Sequence, residues 1–319
     1  HQKETLVSKS FKTVKRFLNP PKEDGLKYPK TRLNSIAKNN YDLIFANTIL
    51  SVNVSAYIKR KSLKAPKLLV HIHELDLTIN QYCPKLKTYL KDIDISIAVS
   101  NKVKHNLLKN WGFTEDKIKV IYAHSRVPEF QKKTSGDFIV GASGLAYWRK
   151  GPEYFILVAD YVIKKLPKAN ISFKWVGKVS QLNRSIYEQD IRKLKIENKV
   201  DFIGKKSNPH EWFSNFDVFL MTSKEDPFPL VCVEVGMMGK PMICFKDATG
   251  TQEVLNSVEG AVVPYLDITK MGDMIIKYFN DPILKAEHGE QMKEIFKEFN
   301  PENQSEKILE VMKGLIHDG

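Results

Sequence analysis

At 319 residues the chain is too long for a single hydrophobic core and suits two domains of ordinary size. Its hydrophobic fraction of 42% is that of a globular protein, and no apolar run approaches the ~20 residues needed to span a bilayer. The net charge of +13 is unevenly placed: residues 1–140 hold 26 Lys+Arg against 12 Asp+Glu, a net of +14, and residues 141–319 hold 24 against 25, a net of −1.

In chain order, Val7, Phe11, Val14 and Leu18 form a helix-like apolar stripe that Asn19-Pro20-Pro21 ends. This Lys-rich, amphipathic start does not read as a secretory signal. The first strand falls at Leu43–Ala46. A helix over 50–62, a strand over 68–72, a helix near 78–90 broken at Pro84, and a strand over 95–99 follow. Ser100 is placed to cap a helix over 101–110 that Gly112 terminates, and a strand over 118–122 closes the half. Strands alternating with helices imply a parallel α/β sheet. No strand–Gly–helix unit precedes residue 40.

Residues 124–136 carry no hydrophobic period and read as a linker. The second half opens with a strand over 138–143, the loop Gly144–Gly151 and a helix from Pro152. It continues with a strand over 171–176 ending at Gly177, a helix over 183–195, and a strand over 200–204 ending at Gly204. A short helix at 208–213 leads to a strand over 216–221. Amphipathic helices over 267–279, 283–298 and 303–316 complete the chain. The expected division is a basic first domain at 1–130, a second domain at 131–302, and a C-terminal helix at 303–319.

The chemistry concentrates in Phe219–Val254. A buried strand runs into the turn Thr222–Pro229. An apolar helix over 230–238 follows, stopped by Gly239 and Pro241, and then a strand over 241–245. Pro229 suits a first helical turn and leaves the amides of Leu230 and Val231 free at a positive helix end. Asp226 lies before that end and Glu234 inside the helix. Acids at both ends and bare amides between them suit a molecule with hydroxyls at its ends and phosphate in the middle, the layout of a nucleotide-diphosphate sugar.

At these residues the chain resembles glycosyltransferase family 4, retaining nucleotide-sugar enzymes of the GT-B architecture, whose pattern is an acid, seven residues and Glu. Asp226-x7-Glu234 fits it, with Asp226 where the family usually has Glu. The resemblance implies an α/β fold of two Rossmann-like domains facing a cleft, with the donor on the second domain, the acceptor on the first, and the helix at 303–319 packing at the domain junction. Because the family opens with a strand–Gly–helix unit that does not precede residue 40 here, the first domain is expected to lack its first β–α units, as a fragment or a reduced domain. It implies sugar hydroxyls at Asp226 and ribose at Glu234. Lys150, before Gly151, would contact the diphosphate; Leu145 replaces the family's arginine, and Arg149 stands as a substitute. Gly144 belongs to the same loop. His73-Glu74 matches a His beside the transferring carbon, Gly177, Gly204 and Lys205 lie toward the nucleobase, and Glu253 of Gly250-Thr-Gln-Glu253 lies near the donor sugar. The family's Asn-Gly after the last strand of the first half is replaced by Ala123-His124-Ser125-Arg126, to which no role transfers.

The expected activity is sugar transfer to a glycan or lipid-linked acceptor in surface polysaccharide synthesis, without a cofactor or metal. His71-x-His73 and Asp92-x-Asp94 each match a metal pattern in form, but the first has no third ligand segment and the second reads as a strand entry. A non-catalytic nucleotide-sugar binder and a glycoside hydrolase using Asp226 and Glu234 are the alternatives. The basic half implies an anionic partner, either membrane lipid or a phosphate-bearing acceptor, or else only a lysine-rich composition. No recognition motif points to nucleic acid. Cys83, Cys232 and Cys244 read as buried reduced thiols, which places the protein in the cytoplasm, at the inner-membrane face if the charge meets lipid.

Overall fold

The computed structural model describes residues 28–128 and 136–317. The stripe read at Val7–Leu18 and most of the linker lie outside these residues.

Two parallel sheets carry the architecture. In the first, β1 (Leu43–Ala46), β2 (Lys67–Ile72), β3 (Ile95–Ala98) and β4 (Ile118–Val120) lie side by side in chain order. Their crossovers are α2 (Val52–Lys61), α3 (Asp76–Tyr82) and α4 (Asn101–Trp111). Strand β2 is an apolar run because both its faces are covered, and Leu68, Leu69, Val70 and Ile72 are all buried. The Ser100 hydroxyl accepts from the Val103 amide at the start of α4, and Gly112 ends the helix in the left-handed conformation. One further helix, α1 (Lys30–Ala37), has little sequence signal. It exists by docking Leu33 and Ala37 against Ile58 of α2.

The second sheet has the order β10-β9-β8-β5-β6-β7, all parallel. Its strands are β5 (Phe138–Ser143), β6 (Ile171–Val176), β7 (Val200–Gly204), β8 (Val218–Met221), β9 (Met242–Phe245) and β10 (Val262–Val263). Its helices are α5 (Pro152–Lys165), α6 (Gln181–Leu194), α7 (His210–Phe213), α8 (Leu230–Met237), α9 (Gln252–Leu255), α10 (Ile268–Asn280), α11 (Pro282–Phe296) and α12 (Pro301–His317). The chain leaves β5 toward β6 on one side and returns through β8 on the other. The loops after β5 and β8 therefore diverge, which opens a crevice at the carboxyl ends of the strands. Gly141 of β5 serves packing, since a Cβ there would stand 2.1 Å from the Phe216 ring.

One buried apolar cluster runs from Val70 and Ile72 of the first sheet to Cys232 and Phe296 of the second unit. At the junction Tyr122, Phe228 and Phe299 pack as a triad with ring centroids 5.0, 5.3 and 5.4 Å apart. The Ser125 amide donates to the Phe299 carbonyl at 3.2 Å. Helix α12 then lays Ile308, Val311, Met312 and Leu315 onto Leu69, Ile97 and Ile121 of the first sheet.

Candidate active site

A cavity of about 1060 Å³ lies where the two sheets face one another. On the second-unit side it is walled by the loop after β5 and the loop after β8, the two segments that the strand order forces apart. Lys150 comes from the first and Asp226 from the second. Lys150 Nζ donates to Asp226 Oδ2 at 2.7 Å, and Arg149 Nη1 lies 3.4 Å from the same oxygen. Gly144 packs under the Lys150 side chain, 3.1 Å from its Cε when a Cβ is added. Thr222 ties the loops together by donating to the Lys150 carbonyl at 3.1 Å.

The electrostatics keep the cluster charged yet internally compensated. Burial works against the Arg149 charge, but Asp226, Tyr147 and Glu225 together hold its pKa above the ordinary value. Arg149 Nε donates to the Tyr147 hydroxyl at 2.7 Å and Nη1 to the Glu225 carbonyl at 2.9 Å. Burial raises the Glu225 carboxyl, with Arg149 and Lys102 opposing it. Pro229, Leu230 and Val231 line the cavity at the start of α8, which has no side-chain cap. Its first amides are donors without intrahelical partners at the positive helix end.

The first-sheet wall carries His73 and Glu74 after β2. His73 Nε2 lies 3.2 Å from Asn47 Oδ1, and burial lowers its pKa. Glu74 is buried and accepts from the Thr48 hydroxyl and from the amides of Ile49 and His73. His71 lies directly behind His73, ring centroids 4.1 Å apart. Burial, with His73 and His124 adding to it, drives its pKa down to about 3. His124, a residue to which sequence reasoning gave no role, also lines the cavity.

Other expected residues lie elsewhere. Glu234, one turn beyond Val231, does not line this cavity; Ser125 Oγ donates to it at 2.8 Å and His210 Nε2 lies 3.6 Å away. Gly177, Gly204 and Lys205 also lie off its wall. Gly177 has a packing reason: at φ +153° a Cβ would stand 1.9 Å from the Gly144 carbonyl oxygen, so it brings the β6 and β5 loops together. Glu253 is already engaged. It accepts from the amides of Asn101 at 2.9 Å and Lys102 at 2.7 Å and from the Tyr122 hydroxyl at 2.9 Å, capping α4 across the junction. Nothing in the sequence signals that pairing, because its partners stand 131 to 152 residues away.

The two metal-like patterns resolve structurally. Asp92 pairs with Arg60, and Asp94 pairs with Lys59 and accepts from the Leu68 amide at 2.6 Å. Among the described residues no three His, Cys, Asp or Glu side chains are grouped to hold a metal ion. The hydrolase alternative is not favoured, since Asp226 is bound by two cations and Glu234 by Ser125.

Two parallel α/β units facing a cleft, with cations and a bare helix start at the switch point of the second sheet, define a GT-B type protein. The chain belongs to the glycosyl transferases group 1 family, whose model matches residues 125–299, and the Glycosyltransferase Family 4 model matches residues 4–123. It is similar to an N-acetyl-alpha-D-glucosaminyl L-malate synthase of Bacillus anthracis, at 21% identity over 88% of this chain and 76% of that one. It is similar also to the capsular polysaccharide biosynthesis glycosyltransferase CapM of Staphylococcus aureus, at 24% identity over 60% of this chain and 54% of that one. The chain spans about half the length of some curated relatives it matches, CapM among them. In fold it superposes on the Anabaena protein Alr3699/HepE, solved in complex with UDP-glucose, with a TM-score of 0.75 at 21% identity over 89% of this chain and 81% of that one.

Proposed function

We propose that this chain transfers a sugar from a nucleotide-diphosphate donor to a hydroxyl of a glycan or lipid-linked acceptor, in the synthesis of a surface polysaccharide. The observation that carries the reading is the convergence of Lys150, Arg149, Asp226 and the uncapped start of α8 in one cavity at the switch point. In this reading the diphosphate takes over Lys150, Arg149 and the amides of Leu230 and Val231, and the released Asp226 holds sugar hydroxyls. These fixed positive groups stabilise the charge that grows on the leaving phosphate, so the chemistry calls for no metal. The bond from anomeric carbon to diphosphate oxygen breaks as the acceptor oxygen bonds to the same face, and the acceptor proton passes to the leaving phosphate. His73 borders the reacting carbon from the opposite wall. Glu234, whose carboxylate keeps acceptor capacity beyond Ser125, takes the ribose. HepE's complex with UDP-glucose supports a uridine donor, and CapM supports a capsular product.

A thermal-shift panel of nucleotide-diphosphate sugars tests the site. A ligand at 100 times its Kd stabilises by about 2.7 kcal/mol, and Lys150→Ala should abolish the shift. A wild type that no member stabilises removes the proposal. No helix among the described residues is long and apolar enough to cross a membrane. Lys61, Lys64, Lys85, Lys87 and Lys91 are exposed on segments entering β2 and β3, the edge of the first sheet opposite the cleft. That edge suits an anionic bilayer. Sedimentation with anionic vesicles should succeed at low salt and fail at high salt, and equal pelleting with neutral vesicles would refute this contact.

A further inference from the structure

The first-sheet wall of the cleft contradicts the charge of the segment that builds it. That segment is strongly basic, yet among the described residues its contribution to the cavity includes no lysine or arginine. The polar groups it offers besides Glu74 are amide, hydroxyl and imidazole: Asn47, Thr78, Gln81, Tyr82 and the histidines 71, 73 and 124. Glu74 is the one charge on this wall, and its oxygens are spent on Thr48, Ile49 and His73. The cations of the cleft stand on the opposite wall, already opposed by Asp226.

Two atoms on the first wall lack partners. His71 is 5% exposed and its Nε2 is buried without a hydrogen-bond partner, as is Nδ1 of His124, whose ring also interacts with the Tyr122 backbone. Buried polar atoms left unpaired are rare, and each calls for an explanation such as a catalytic role or a partner that binds there. We propose that His71 and His124, beside His73, seat the reacting end of an uncharged, hydroxyl-bearing acceptor, a glycoside in preference to a phosphorylated or carboxylated small molecule. The inference rests on the glycosyl-transfer reading. It assigns the basic patch and the acceptor seat to different places, so an acceptor with a charged portion presents its neutral sugar to this wall. Imidazoles that burial keeps uncharged exchange hydrogen bonds with hydroxyls, whereas a phosphate or carboxylate here would meet no compensating cation.

The test uses the whole chain saturated with the donor found by the thermal-shift panel. Saturation-transfer NMR then reads binding of methyl α- and β-hexopyranosides against glucose 1-phosphate and L-malate. Methyl glycosides should give the signal and the anions none. His71→Leu and His124→Ala should each weaken glycoside binding about tenfold while leaving the donor-induced thermal shift unchanged, and His71→Gln should restore part of the loss. His124 is only partly buried, so its variant keeps the question answerable if His71→Leu misfolds. A signal from the anions instead, no signal from any glycoside, or glycoside binding that both variants leave intact overturns the proposal. Loss of the donor shift in wild type would sink the glycosyl-transfer reading itself, a separate outcome.

Discussion

Lys150 and Asp226 hold one another before any donor arrives, so each substitution has two consequences. Lys150→Ala removes the closest partner of a carboxylate that is 3% exposed, leaving Arg149 at 3.4 Å to compensate. A stability loss of ~2–3 kcal/mol by denaturant titration is expected, with a fall of about 10²–10³-fold in transfer rate. Asp226→Asn acts in the opposite sense on the nucleotide, freeing both cations. Binding of a sugar-free nucleoside diphosphate should tighten while transfer falls, and calorimetric titration separates the two. His71 supplies a pH dependence. Its folded pKa, about 3, lies below the ordinary 6.5 of the unfolded chain. The unfolded state therefore takes up the proton first as pH falls. The stability this histidine contributes is complete above about pH 6.5 and is lost toward pH 3, with a slope of up to ~1.4 kcal/mol per pH unit. Thermal midpoints between pH 6.5 and 4.5 should drop more steeply for wild type than for His71→Gln; parallel curves would refute this.

At the scale of elements, the start of α4 carries a cluster of polar contacts that link the two units. The Glu253 carboxylate satisfies the amides of Asn101 and Lys102, Ser100 Oγ donates to the Pro227 carbonyl at 2.9 Å, and Lys102 Nζ donates to the Asp247 carbonyl at 2.6 Å. Glu253→Ala should cost ~1–2 kcal/mol, as for a lost charged helix cap. Gly250 permits this approach, since a Cβ there would stand 2.0 Å from the Pro227 oxygen and 2.7 Å from Ser100 Cβ. Gly250→Ala should therefore separate the units, read as an increased radius of gyration by X-ray scattering. The strands and long helices were legible in the sequence because buried parallel strands are continuous apolar runs and Gly112 and Pro152 punctuate helices wherever they sit. Helix α1 and strand β10 were not, being short elements formed by docking on α2 and on β9. Of the candidate site, the α8 start was legible in its local turn chemistry, and Lys150 and Asp226 were legible through the family resemblance. Glu253 as a cross-unit cap and Ser125 on Glu234 were not, since a sequence does not display contacts made over 100 residues away.

At the scale of the molecule, the first half is strongly basic, yet among the described residues the part of it that lines the cavity brings no lysine or arginine. Composition suggests an anionic partner or only a lysine-rich chain, and it does not display which lysines stand away from the cavity. The polypeptide passes between the units twice, after Ala123 and again after Phe299, and these crossings touch through the Ser125 amide and the Phe299 carbonyl, flanked by the Tyr122–Phe228–Phe299 rings. Two tethers fastened at one place act as the spine of a book: any opening that keeps them joined is a swing about that line, which moves the cavity walls in proportion to their distance from it.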